Sequence, residues 1–98
     1  MTVYNGTNGS KFAKSMYDIY HKLPVTCERE SAFESVLKDI FGDKLDHIYS
    51  TRSRTTTIFL KDGTTLYINT AWDGDGSLTI THPDRTVEKY SPEGELLE

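Results

Sequence analysis

Cysteine is almost missing from this 98-residue chain, with Cys27 the only one. A lone thiol cannot form an intrachain disulfide, so the fold must rest on its core, and a reducing compartment suits it. Length is short as well: 98 residues make one domain with a single modest core. Basic residues are in deficit, eleven against fifteen acidic, for a net charge of −4. Nucleic-acid binders draw much of their affinity from neutralising phosphates, so this balance argues against direct nucleic-acid binding. The first ten residues, MTVYNGTNGS, have neither the basic nor the apolar region of a signal peptide, and no apolar run approaches membrane-spanning length. The expectation is a cytoplasmic protein with no membrane association. Asn5-Gly6-Thr7 and Asn8-Gly9-Ser10 match the glycosylation pattern, but without a secretion signal they read as turn chemistry.

Catalytic signatures are missing as well. There is no phosphate-binding Walker loop, no G-x-S-x-G elbow and no dinucleotide fingerprint. His21, Cys27, His47 and His82 are the only imidazole or thiol ligands, and they share no zinc-site spacing. Cys27 is expected near a helix N-terminus, where the dipole lowers a thiol pKa, and His47 or His82 could serve as its base. No cysteine-enzyme motif surrounds it, and a small buried hydrophobe accounts for it equally well. In Trp72-Asp73-Gly74-Asp75-Gly76, an EF-hand-type calcium loop with Gly76 as its turn glycine would need ligands at Ala71 and His82. Both ends fail, and alternating Asp and Gly is what a tight turn requires. The sequence therefore assigns no catalytic residue, no metal and no cofactor.

What the chain does have is rings: four Phe, six Tyr and one Trp, enough to argue for an ordered core. Phe12, Met16, Ile19, Tyr20 and Leu23 recur at helical spacing, with Ser10 as a possible cap and Pro24 as the stop. A second helix is predicted from Thr26 or Cys27, with Phe33, Val36, Leu37, Ile40 and Phe41 as its stripe and Gly42 as its end. Beyond Gly42 the apolar period becomes two. Strands are expected at 46–51, TTTIFLK, TTLYINTAW, SLTIT and TVEKY, joined by turns at Asp62-Gly63, the Asp/Gly loop and His82–Arg85. Pro92-Glu93-Gly94 makes a last turn. The fold class predicted is α+β: two N-terminal helices on one face of a four- to five-stranded antiparallel meander. It is read as a single domain over 1–98, with a flexible N-terminal segment at 1–9 and an acidic tail or short edge strand at 91–98.

Alternation sorts the sheet into two faces. Ile48, Ile58, Leu60, Leu66, Ile68, Leu78, Ile80 and Val87 are expected under the helices. Tyr49, Phe59, Tyr67, Ala71 and Tyr90 fall on the other face, which is unusually aromatic for one that meets water. Phe59 and Tyr67 are expected to be neighbours across the Asp62-Gly63 hairpin. A terminal segment or a second copy would cover such a face as readily as a functional partner. Acidic residues crowd the last quarter, with Asp73, Asp75, Asp84, Glu88, Glu93, Glu95 and Glu98. They make either a binding edge or a solvated rim.

The C-terminal quarter, GSLTITHPDRTVEKYSPEGELLE, is similar to a single unit of the YD or RHS repeat of large shell-forming toxins. Repeats of that kind need several copies to bury a core, so the likeness reflects shared hairpin chemistry. In size, charge and solubility the chain resembles the small inhibitors that phages and mobile elements direct against CRISPR or restriction enzymes. The expected function is a non-enzymatic protein-binding module of that type, acting in a host cytoplasm if phage-encoded. Its expected partner is a larger protein, such as a nucleic-acid-handling enzyme, with acidic side chains mimicking phosphates. Tyr49, Phe59, Tyr67, Trp72, Asp73, Asp75, Glu88 and Tyr90 are the predicted partner-binding residues. The alternatives are a toxin-immunity protein, a homodimeric structural subunit, or RNA binding through the aromatic face with Arg52, Arg54 and Lys61 nearby.

Overall fold

A computed structural model describes residues 4, 6, 8–24, 28–50, 55–69 and 76–97, without the side chain of Glu30. Two helices precede a five-stranded antiparallel sheet, the α+β arrangement expected from the change of apolar period. Helix α1 spans Gly9–Lys22 and α2 spans Arg29–Phe41, followed by a single 3-10 turn at Gly42–Lys44. Strands β1 (Leu45–Ser50), β2 (Thr55–Leu60), β3 (Thr65–Asn69), β4 (Ser77–Thr81) and β5 (Val87–Tyr90) lie side by side in chain order.

Helix α1 buries Phe12, Ala13, Met16, Tyr17 and Tyr20, a broader stripe than the predicted one, with Ile19 and Leu23 only partly covered. Its first residue is Gly9, ahead of the expected Ser10 cap. The Ser10 hydroxyl instead donates to the carbonyl of Gly94 in the last turn. Helix α2 buries Phe33, Leu37 and Phe41, four residues apart on one side. Arg29, at the start of α2, is 4% exposed. Its Nε and Nη2 donate to the Tyr20 carbonyl at 3.2 and 2.8 Å, and its guanidinium lies 4.1 Å from the Tyr20 ring centre. A buried cation on the C-terminal carbonyls of α1 meets the negative end of that helix, and so ties the two helices together.

Two rows of facing residues form the floor beneath the helices. One runs Ile48, Ile58, Leu66, Ile80, Glu88 across the five strands; the other runs Ser50, Thr56, Ile68, Leu78, Tyr90. Ile58, Leu66, Ile68, Leu78 and Ile80 are at most 1% exposed. The last strand corrects the predicted faces. Tyr90 lies in the core at 8% exposure, and Val87 is outside at 48%. A four-residue strand with one apolar side chain on each face has an ambiguous alternation, and the larger ring takes the interior. Gly9 makes room for it, since a Cβ there would stand 2.6 Å from Tyr90 Cε2.

The segment expected to be flexible, 1–9, includes the first residue of α1, Gly9, and a buried ring at Tyr4. Tyr4 is 6% exposed and packs edge-on against Phe12, which packs in turn against Phe41, with both pairs of ring centres 5.7 Å apart. At the other end, the tail is an edge element: Leu96 bridges Tyr90, and Leu97 N–H donates to Lys89 at 2.7 Å. Among the described residues, no helix is long and apolar enough to cross a membrane.

Candidate functional site

The face of the sheet turned away from the helices carries no covering element among the described residues. Register places its side chains in rows, two of which cross all five strands. His47, Phe59, Thr65, Thr81 and Val87 make the first; Tyr49, Thr57, Tyr67, Thr79 and Lys89 make the second. Threonines separate the larger groups, so β-branched side chains both favour the strands and leave the rings standing above them. Tyr49 is 62% exposed and Tyr67 40%, each facing Thr57 from opposite sides.

Phe59 and Tyr67 share this face as predicted, but they are diagonal and not directly opposed. Phe59 faces Thr65, and Tyr67 faces Thr57. The Phe59 ring is instead stacked on His47, with centres 4.2 Å apart and planes 12° from parallel. His47 was not foreseen as part of the surface. Its signal was its place two residues before Tyr49 in an alternating strand. The His47 Nδ1 is 3.1 Å from Asp46 Oδ2, an exposed contact.

The other predicted partner residues separate from this surface. Tyr90 and Glu88 lie on the helix-side face, so they cannot belong to the same contact patch. There the Tyr90 hydroxyl donates to Glu88 Oε1 at 2.5 Å, while Glu88 Oε2 lies 2.5 Å from His82 Nε2. Tyr90 and then His82 hold the Glu88 carboxyl below its usual pKa, against the opposing effect of burial. The same hydrogen bond to Glu88, with burial second, pushes the Tyr90 phenol up to about 12. Glu88 is thus engaged in bracing β5. Trp72, Asp73 and Asp75 lie outside the described residues, as do Ala71, Arg52, Arg54 and Cys27. Among the described residues, no three His, Cys, Asp or Glu side chains are grouped to hold a metal ion.

Comparison of the chain with family models, with curated proteins and with solved structures gives no match.

Proposed function

We propose that this protein is a binding module that engages a larger protein partner through the uncovered face of its sheet, without chemistry of its own. The observation that carries the reading is the aromatic surface made by Tyr49, Tyr67 and the Phe59–His47 stack on a face with no helix above it among the described residues. Tyrosines held by strands lose little conformational freedom on docking and supply large amphipathic areas, which is why such residues dominate interface energies. A net charge of −4 favours a partner with a basic surface, as a nucleic-acid-processing or defence enzyme presents. An inhibitor of such an enzyme is the form of this reading that the charge supports best.

The test compares affinity capture from a candidate host lysate by the wild-type chain and by Tyr67→Ala, with mass spectrometry as readout and circular dichroism as the control for folding. Tyr67→Ala is expected to keep its helical signal and to weaken the captured complex by roughly 1–3 kcal/mol. A captured partner retained at full strength by the folded variant would contradict the assignment of this face.

A further inference from the structure

The carboxylates and ammonium groups of the five strands are those of Asp46, Glu88 and Lys89, and Glu88 sits on the helix-side face. The outward face therefore carries an acid at one edge and a base at the other. Asp46 is exposed in β1 and lines a shallow recess with Phe59 and Thr65. Lys89, in β5, ends the row that runs Tyr49, Thr57, Tyr67, Thr79. The apolar groups are divided in the same way. The Phe59–His47 stack lies toward β1, and the exposed side chain of Val87 lies at β5. Such a face is complementary to itself when β1 of one copy lies over β5 of another.

A contact between two copies of one face needs a two-fold axis, which here must lie between the two sheets. Run along β3, that axis keeps each row above itself. Tyr49 then faces Lys89 of the second copy, a cation on a ring. His47 faces Val87, Phe59 faces Thr81, Thr57 faces Thr79, and Thr65 and Tyr67 lie at the axis. Run across the strands, the axis would set β1 on β1 and β5 on β5, with Asp46 near Asp46 and Lys89 near Lys89. Like charges oppose that second arrangement and select the first. Five strands about 4.8 Å apart span roughly 20 Å, and the two rows lie roughly 7 Å apart. Such a patch falls well short of the ~800 Å² per partner of a stable dimer, so the contact is weak.

We propose that the outward face pairs with the same face of a second copy, β1 over β5, in a dimer with a Kd on the order of hundreds of micromolar. Below that concentration the face stands open, so the second copy and the larger partner are alternatives on one surface. The dimer requires no other protein, so its failure leaves the partner assignment standing.

The experiment is a dilution series of the full-length chain, about tenfold either side of that Kd, followed by chemical shifts and translational diffusion. Diffusion is expected to slow to the value for two copies and no further. The shifts should centre on residues 47–49, 57–59, 65–67, 79–81 and 87–89, and leave the helices unmoved. Lys89→Glu should weaken association at least about tenfold, because the two-fold axis repeats the change. Cysteine pairing reads the axis itself, in a Cys27→Ser background under mild oxidation. Thr65→Cys chains should cross-link to one another, whereas Val87→Cys chains should cross-link to His47→Cys chains and not among themselves. A monomer at every concentration, assembly beyond two copies, or shifts centred on the helices would overturn the proposal. So would full association in a folded Lys89→Glu chain, or Val87→Cys chains cross-linking to one another as fast as Thr65→Cys chains do.

Discussion

Arg85 is the one non-glycine residue with a positive φ among the described residues, at 72°. The same position is held by Gly63 at 95° and Gly94 at 89° in two equivalent turns. In each turn a backbone N–H donates three residues back, from Gly63 to Leu60, Arg85 to His82 and Gly94 to Ser91. A longer bond then closes the loop, from Leu60 to Thr64, His82 to Thr86 and Ser91 to Glu95. Left-handed backbone costs an L-residue about 1–2 kcal/mol, and glycine gives back part of that through unfolded-state entropy. Arg85→Gly is therefore expected to stabilise the protein by about 0.5–1 kcal/mol, read as a higher urea midpoint with an unchanged slope. Gly76 is constrained in the opposite sense. A Cβ there would fall on the Tyr17 hydroxyl, which donates to the Asn69 carbonyl and has its pKa raised to about 12 mainly by burial. Gly76→Ala should cost about 1–3 kcal/mol as overpacking, and a thermal melt no lower than wild type would refute that contact.

At the scale of elements, the helices and strands were legible because their apolar periods are long and clean. Asp62-Gly63 and His82–Arg85 were legible as turns because Asp accepts the N–H two residues on, as Asp62 does from Thr64 and Asp84 from Thr86 at 3.0 Å, and Pro92-Glu93-Gly94 because proline and glycine mark a turn. Strand β5 was not. Its four residues split evenly between faces, and only the packing of Tyr90 beneath Gly9 decides which side is inward. Arg29 and Tyr4 also escaped, because a charged residue at a helix start and a tyrosine among turn formers both read as exposed. The bracing of β5 by Glu88 has a pH signature. A carboxyl whose folded pKa is depressed stabilises the fold above its unfolded value, about 4.5, and that stabilisation disappears as pH falls through the folded value. Asp62 and Asp84, held low chiefly by their hydrogen bonds to Thr64 and Thr86, act in the same direction. Melting temperature should therefore fall from pH 7 to pH 3. Glu88→Gln should melt lower than wild type at pH 7 and approach it at pH 3, leaving a shallower slope from the two aspartates. A constant gap across that range would place the stabilising role of Glu88 outside its charge.

On the scale of the whole molecule, the sheet is asymmetric in both faces and edges. The helices cover one face, and 95–97 closes the β5 edge through Leu96 and Leu97. The β1 edge carries a register irregularity between Leu45 and His47 and the exposed side chains of Asp46 and His47. Irregular, charged edges discourage strand addition, which is why the aromatic face is the docking surface proposed. Of the eight residues singled out from sequence for partner binding, Tyr49, Phe59 and Tyr67 are brought together by the period of two. Glu88 and Tyr90 are separated from them by the ambiguous last strand. The most direct measurement is hydroxyl-radical footprinting of the chain alone and in complex with its captured partner. Tyr49, Phe59 and Tyr67 should lose reactivity on binding, while exposed helix residues such as Lys11, Lys14 and Lys38 keep theirs. Protection of those lysines with Tyr49 and Tyr67 still reactive would contradict the account and move the interface to the helices.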